Sequence, residues 1–333
     1  MNTSDTFDTS QPYYQLNPDR VMDAIEKLGF FCDGRIMALN SYENRVYQVG
    51  IEDEQPIIAK FYRPERWSDE QIGEEHEFTL ELADAGIPAI APVVKEGETL
   101  FHEEGFRIAL FARRGGHAPE LDNNEHLFEL GRFLGHLHSV GELKKFQHRP
   151  ALTVQDYGRH AQNCVLESGL LQGLETRYAD LTNELLAEID KRLQEFDSET
   201  IRVQGDCHCG NLLWRDGQLM MLDFDDCRMA PAMQDIWMLL SGDQQQQKLW
   251  LNEIVEGYEE FLSFPVRQLQ LIEPLRSLRI IYYSGWLSER KDDPAFQQAF
   301  SHFGGGNWWQ AHISNLEQQI QAMSAPSLTL GYY

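Results

Sequence analysis

The spacing of hydrophobic residues changes partway along the chain. Before residue 112, short apolar runs such as 57–62 are separated by polar turns, which is typical of an antiparallel sheet. Beyond residue 116, apolar residues recur at every third or fourth position, as in 127–137, and this period predicts amphipathic helices. The segment 112–116, Ala-Arg-Arg-Gly-Gly, breaks both patterns and is the expected hinge between a sheet-containing lobe and a helical lobe.

Capping and turn residues set the expected bounds of the individual elements. A helix is expected to begin at Asn17-Pro18-Asp19 and end at Gly29, and another to begin near Ser68. Further helices are expected at 127–138, 178–193, 231–240, 248–261, 266–287 and 315–323. Strands are expected in a hairpin at 39–49 and at 57–62, 92–94, 99–101, 106–111, 212–214 and 219–222. The polar first residues are expected to be disordered, and the last eight to be extended.

Composition and charge narrow the function classes. The chain has 333 residues, enough to bury a large core, and its net charge of −25 argues against general binding to nucleic acid or anionic membranes. No apolar run approaches ~18 residues, and the first twelve residues lack a signal-peptide pattern. Five cysteines without framework spacing fit a reducing compartment. A cytoplasmic protein is therefore expected, and we expect a monomer.

The stretch from Gln204 to Asp225 carries the strongest chemical signal. Asn211 follows Asp206 by five residues, and Asp223 follows Asn211 by twelve. Two short apolar runs joined by an Asp-Gly turn at 216–217 predict a hairpin that brings Asn211 and Asp223 together. This order matches the phosphoryl-transfer template, in which Asp206 accepts the hydroxyl proton or aligns the nucleophile. Asn211 and Asp223 would be oxygen ligands of Mg²⁺, so that Asp223 is also a catalytic residue.

Two alternatives to this interpretation stay open. Chance acids in a solvated loop and hairpin would give a similar pattern, although the full spacing argues against it. Cys207, His208 and Cys209 could bind zinc, but three adjacent residues do not easily reach one tetrahedral ion and no second Cys/His cluster follows.

A lysine inside an apolar strand indicates a nucleotide-binding pair. Lys60 interrupts the β-rich run 57–62 and needs a charged partner if it is buried. Glu75, in the helix that follows, shares a face with Phe78 and Leu82 and should therefore point inward. Glu74 is the alternative partner, and a lysine that snorkels from an edge strand is the alternative for Lys60.

Other residues have two interpretations each. Ser41 and Asn44, in a polar turn, could donate to phosphate or simply close a hairpin. Asp235 could brace the catalytic loop or cap a helix, and His138 is expected to be a core histidine. The aromatic residues Tyr282, Tyr283 and Trp286 could line a substrate groove or belong to the core. The backbone at 111–113 could bind adenine.

With these residues in view, the chain resembles the aminoglycoside-phosphotransferase and choline-kinase fold family. Within that fold it is most similar to a group of bacterial stress-response serine/threonine protein kinases. The segments that carry the resemblance are 40–47, 60–67, 205–211, 231–240 and 272–276, within a match spanning about 17–325.

The resemblance implies an α+β, two-lobed protein-kinase-like fold. Its parts would be a disordered terminus (1–16), an N-lobe of antiparallel sheet plus helix (17–112), a mainly helical C-lobe (113–325) and a tail (326–333).

The resemblance also implies an activity and a set of site residues. The implied activity is ATP- and Mg²⁺-dependent phosphorylation of Ser or Thr in proteins, including the kinase itself. Asp206, Asn211 and Asp223 keep the roles given above, and Ser41 joins Lys60 and Glu75 at the nucleotide. One departure is Gln204, where the family usually has a histidine that supports the loop. A small-molecule kinase for an amino alcohol or aminoglycoside is the alternative, and a pseudokinase scaffold is a third hypothesis.

Overall fold

The structure is a computed structural model that describes residues 13–196 and 199–331. Most of the terminus expected to be disordered, residues 1–12, lies outside the described residues. Residues 13–16 are ordered, contrary to that expectation, because Tyr13 is buried against the sheet. Its hydroxyl donates to the carbonyl oxygen of Phe61 at 3.2 Å, and its ring stacks on Phe106.

The fold is α+β, as the sequence predicts, with a five-stranded antiparallel sheet in the N-terminal part and helices dominating the rest. The strands are β1 Cys32–Leu39, β2 Arg45–Ile51, β3 Ile57–Phe61, β4 Phe101–Glu103, β5 Phe106–Ala112, β6 Ile201–Val203, β7 Leu212–Arg215, β8 Gln218–Met221 and β9 Arg228–Ala230. The α-helices are α1 Pro18–Lys27, α2 Asp69–Asp84, α3 Asn124–Gly141, α4 His160–Glu167, α5 Glu175–Phe196, α6 Met233–Ile236, α7 Gln244–Tyr258, α8 Ile272–Glu289, α9 Pro294–Ala299 and α10 Gly306–Ser324. A π-helical turn, Val154–Arg159, precedes α4, and 3₁₀ turns lie at Cys209–Asn211, Trp237–Leu239 and Val266–Leu271.

The N-terminal sheet has the order β1-β2-β3-β5-β4, which puts β3 at its centre. Lys60 therefore lies between Val46 of β2 and Ala109 of β5. The strand expected at 92–94 is wrong, because only an isolated bridge from Pro92 to Phe111 forms there. A proline has no N–H to continue a ladder, and this limits the segment to edge contacts.

Local capping signals place the first two helices as predicted. The Asn17 side chain accepts from the Arg20 N–H at 2.9 Å at the start of α1. Ser68 and Gln71 form a reciprocal capping box at the start of α2. Because α2 begins at this fixed point, its inward face is fixed as well, and Glu75 lies on it.

The helical part departs from prediction in several places. The helix expected at 231–240 is only the four-residue α6 followed by a 3₁₀ turn. The single helix expected over 266–287 is instead a 3₁₀ turn followed by α8, because Pro274 lacks an N–H and is tolerated only in the first turn of an α-helix. Helices α4 and α9 were not predicted, and α10 begins nine residues earlier than the predicted start at 315. In α3, a Cβ at Gly131 would lie 2.0 Å from the Ile254 carbonyl oxygen, so only glycine permits the close packing of α3 on α7.

The hairpin β7–β8 forms as the sequence predicts. Its turn residues Asp216 and Gly217 have φ values of 52° and 75°, as a two-residue hairpin turn requires. At its other end, the Leu222 N–H donates to the Asn211 carbonyl oxygen at 2.8 Å, which places Asp223 beside Asn211. Among the described helices, none combines the length and apolarity needed to cross a bilayer.

Candidate active site

One buried carboxylate holds the loop that follows β6 through backbone hydrogen bonds. Asp235 accepts from the Gln204 N–H and from the Gly205 N–H, each at 2.8 Å. His138, also fully buried, places Nε2 3.2 Å from the same carboxylate. Asp235 therefore braces the loop rather than capping a helix, and His138 is a core residue, as expected.

Gln204 supports the loop at the position where a histidine was expected. Its Oε1 accepts from the Asp206 N–H at 2.8 Å, and its Nε2 donates to the Asp223 carbonyl oxygen at 2.6 Å. The side chain is fully buried. Gln204 thus joins the Asp206 loop to the segment after β8. It therefore supports the loop although it replaces the histidine that is usual in the family.

Asn211 and Asp223 together offer hard oxygen donors at the edge of the cleft. The Asn211 Nδ2 donates to the Asp206 carbonyl oxygen at 3.1 Å, which leaves Oδ1 available. Asp223 adopts φ of 50° and keeps 51% of its side chain exposed, while Phe224 turns into the core against Phe78. One carboxylate and one amide oxygen fit the preference of Mg²⁺, which keeps several waters.

Lys60 is buried among three carboxylates. Its Nζ lies 3.2 Å from Glu75, 3.2 Å from Asp223 and 3.0 Å from Asp225. Burial alone would lower the pKa of Lys60, but Asp225 and Glu75 outweigh it and raise the pKa well above the ordinary value, so the ammonium group stays charged. The predicted pairing of Lys60 with Glu75 is therefore present. Glu74 points elsewhere and accepts from backbone N–H groups, including that of Arg149 at 2.7 Å.

Two charged residues beside Lys60 were missed by sequence reasoning. Asp225 is buried, and Arg66 contacts both it and Asp226, the latter at 3.0 Å. Burial opposes ionisation of Asp225, but Arg66 and Lys60 overcome it and hold the pKa of Asp225 below its usual range. The spacing of Asp225, two residues after Asp223, could have indicated it as a site residue. No local pattern indicated that Arg66 reaches this loop.

The carboxylate of Asp206 pairs with an arginine from α8. Arg279 Nη2 lies 2.7 Å from Asp206 Oδ1, and His208 Nε2 lies 3.6 Å from Oδ2. Burial alone would lower the pKa of Arg279, but Asp206 and neighbouring groups outweigh it and raise the pKa above its ordinary value. Tyr282, one turn away, stacks on Tyr157 at 3.8 Å and also lines the cleft, so it serves both the core and the groove. Arg279 was missed because no local pattern links it to residue 206.

The β1–β2 turn is tied to the helical lobe through Glu43. Glu43 accepts from the Trp286 indole N–H at 2.7 Å and from two Arg290 nitrogens at 2.9 Å. Ser41 lines the cleft beside this contact, while the buried Asn44 uses its Oδ1 to accept from the Arg63 N–H at 3.0 Å. A phosphate contact from Ser41 or Asn44 stays a prediction, and for Asn44 the oxygen is already engaged.

These residues surround one cleft of about 550 Å³ between the sheet and the helices, within the usual range for small-ligand sites. Phe111 and Ala112, next to the expected hinge, also line it, and backbone contacts to adenine there stay a prediction. The zinc alternative finds no support, since Cys207 is fully buried and His208 accepts from the Gly210 N–H within its own loop.

The pairing of Lys60 with Glu75 gives a testable coupling. Lys60→Ala and Glu75→Ala should each lower kcat. The increase in activation free energy of the double variant should be smaller than the sum of the two single increases by about 0.5–3 kcal/mol, because each residue depends on the other. Steady-state kinetics on the four proteins of the cycle measures this. Glu74→Ala is the matched control, and its effect should add to that of Lys60→Ala. Strict additivity for Glu75 would contradict the pairing role.

Comparisons with known proteins identify the family of this chain. Residues 35–270 match the phosphotransferase enzyme family. Stress response kinase A of Escherichia coli O157:H7 is 41% identical over 330 residues, covering 99% of this chain and 98% of the relative. A Salmonella typhimurium relative described as serine/threonine protein kinase RdoA is 40% identical over 324 residues, covering 97% of this chain and 98% of the relative.

Solved structures show the same fold at low identity. An amicoumacin kinase in complex with AMP-PNP and Ca²⁺ has a TM-score of 0.71 at 19% identity, covering 93% of this chain and 95% of its own. A microcompartment-associated aminopropanol kinase has a TM-score of 0.69 at 18% identity, covering 92% and 99%. The family match, the full-length relatives and the cleft point the same way: this chain is a kinase that belongs to the phosphotransferase enzyme family and, within it, to the stress response kinase A group.

Proposed function

We propose that the chain is an ATP- and Mg²⁺-dependent serine/threonine protein kinase that also phosphorylates itself and acts in a bacterial stress response. Relatives at 40–41% identity over nearly the whole chain carry the names stress response kinase A and serine/threonine protein kinase, which supports this activity. All five cysteines are free, which supports a reducing cytoplasm, and we propose that the protein acts there as a monomer.

In this proposal Asp206 receives the proton of the acceptor hydroxyl. Arg279 holds Oδ1 at 2.7 Å, so Oδ2 is the oxygen that faces the acceptor. Asn211 Oδ1 and Asp223 hold Mg²⁺, which when bound offsets the negative charge of the phosphates. Lys60, kept charged and positioned by Glu75, binds phosphate oxygens, and Ser41 contacts the nucleotide from the β1–β2 turn. The lobes at 17–112 and 113–325 meet at the cleft.

The observation that carries the choice of acceptor is the pairing of acids with bases in the cleft. Asp206 is paired with Arg279, Asp225 with Lys60 and Arg66, and Glu43 with Arg290. The chain has a net charge of −25, yet these cleft carboxylates are matched by cations. A cationic amino alcohol or aminoglycoside would need unpaired carboxylates here, whereas a neutral Ser or Thr hydroxyl needs only the base and room to approach.

The acceptor is tested by offering three substrates in parallel. Purified protein with radiolabelled ATP should label a casein-like protein and itself, and phosphoamino-acid analysis should find the label on Ser or Thr. Choline and an aminoglycoside should remain unlabelled. Robust labelling of either small molecule without Ser or Thr label would replace the protein-kinase proposal by the small-molecule alternative. Nucleotide binding without any transfer would instead support a pseudokinase.

A further inference from the structure

Two helices of the C-terminal part cross closely at a glycine. Gly285 of α8 lies against Ala161 of α4, and a Cβ at position 285 would be 2.5 Å from the Ala161 Cα. A side chain at 285 would therefore push the helices apart. Glu289, one turn further along α8, reaches α4 on the same face as Gly285. His160 and Cys164 flank Ala161, four residues apart, and so lie on one face of α4.

The three side chains converge as a zinc ion would require. His160 Nε2 lies 2.9 Å from Glu289 Oε1, Cys164 Sγ lies 3.3 Å from the same oxygen, and Sγ lies 3.6 Å from Nε2. Tetrahedral zinc with ordinary bond lengths separates N from O by about 3.3 Å, and S from N or O by about 3.5 Å. Each observed separation is within about 0.4 Å of these values, so the metal needs only small side-chain movements.

The surroundings of the triad also suit a metal. Glu289 Oε2 accepts from Arg290 Nη1 at 3.1 Å, which fixes the carboxylate and leaves Oε1 toward His160 and Cys164. Bound carboxylates in metal sites usually have such a second partner. The His160 side chain is 66% exposed and that of Glu289 39%, so an ion can enter from solvent and water can take a fourth position.

We propose that His160, Cys164 and Glu289 bind one Zn²⁺ ion, with water as the fourth ligand, in a site that bridges α4 and α8. The donor set of imidazole, thiolate and carboxylate is that of zinc, whereas Mg²⁺ prefers oxygen alone. This site is separate from the proposed Mg²⁺ position at Asn211 and Asp223. The zinc proposal does not depend on which phosphoacceptor the kinase uses. Arg290 contacts both this site and the β1–β2 turn, so the two lie next to each other.

The test uses the full-length, reduced protein and measures the metal directly. Calorimetric titration with Zn²⁺ should show one site, and Co²⁺ as a spectroscopic substitute should give a thiolate-to-cobalt charge-transfer band. Cys164→Ser should abolish the band, and His160→Ala should weaken Zn²⁺ binding by more than ~100-fold, since even loss of an outer-shell partner costs about 10–100-fold. Zn²⁺ should also raise the melting temperature of wild type but not of Cys164→Ser.

Two control variants separate this site from other binding. Cys32→Ser removes a cysteine of the N-terminal sheet, and Asp223→Asn weakens the proposed active-site metal position, so both should keep the band and the Zn²⁺ affinity. Wild type without a thiolate band, or Cys164→Ser with unchanged Zn²⁺ affinity, would overturn the proposal and leave an ordinary histidine–glutamate ion pair. Circular dichroism spectra that match wild type show that each variant is folded.

Discussion

Asp223→Asn is expected to abolish measurable phosphoryl transfer and to weaken binding of Mg²⁺-ATP, while binding of metal-free ADP falls much less. The substitution removes one negative charge from the proposed metal ligand, and Mg²⁺ depends on hard anionic oxygen. Asparagine is preferred to alanine here because residue 223 has φ of 50°, a left-handed conformation that asparagine tolerates and alanine does not.

Calorimetry with Mg²⁺-ATP and with ADP in chelator measures the two affinities separately. The half-exposed side chain of Asp223 and the unchanged backbone bond to Gln204 argue that the variant folds. Asp223→Ala should lose activity as well, with an added loss of stability from backbone strain. Unchanged Mg²⁺-ATP affinity in Asp223→Asn would remove this residue from the metal site.

Asp206→Asn is expected to lower the rate of transfer by about 100-fold or more, the usual scale for a lost general base. Nucleotide affinity should stay nearly unchanged, because Asp206 faces Arg279 and the acceptor side of the cleft. Single-turnover transfer to protein and equilibrium binding of ATP measure the two effects separately.

The chain offers a matched control for this substitution. Asp216→Asn makes the same chemical change in the exposed β7–β8 turn, where the left-handed conformation suits asparagine, and should leave transfer unchanged. If Asp206→Asn retained the wild-type rate, another group would have to accept the proton. If it lost nucleotide affinity as much as rate, Asp206 would act on the nucleotide rather than on the acceptor.

The parts of the fold and site that sequence analysis predicted depend on local chemistry. The β7–β8 hairpin follows from the Asp-Gly turn, and the inward face of α2 follows from the Ser68 cap and the spacing of Glu75 and Phe78. Such signals act within a few residues, so they can be identified without knowledge of tertiary structure. They were sufficient to place Lys60 beside Glu75 and Asn211 beside Asp223.

The parts that were missed depend on contacts between distant segments. Arg66 and Arg279 carry no periodic or capping signal, and their partners become evident only when the lobes are packed together. The structure also decides between the two roles that the sequence allowed for Asp235, because its carboxylate reaches back to the Gln204 N–H, a contact that spans 31 residues. Helix α4 was missed because it has only eight residues, too few for its hydrophobic period to stand out from the polar residues around it.

The contacts that join the two lobes also set an order of events during synthesis. Lys60 and Asp223 are separated by 163 residues, and Trp286 follows Glu43 by 243. At about 5–20 residues per second, a ribosome needs roughly 8–33 s to make the first of these intervals. During that time the nascent sheet carries Lys60 without its C-lobe partners, and only Glu75 is available to pair with it. The catalytic cleft therefore cannot be complete until the C-terminal part of the chain has been made.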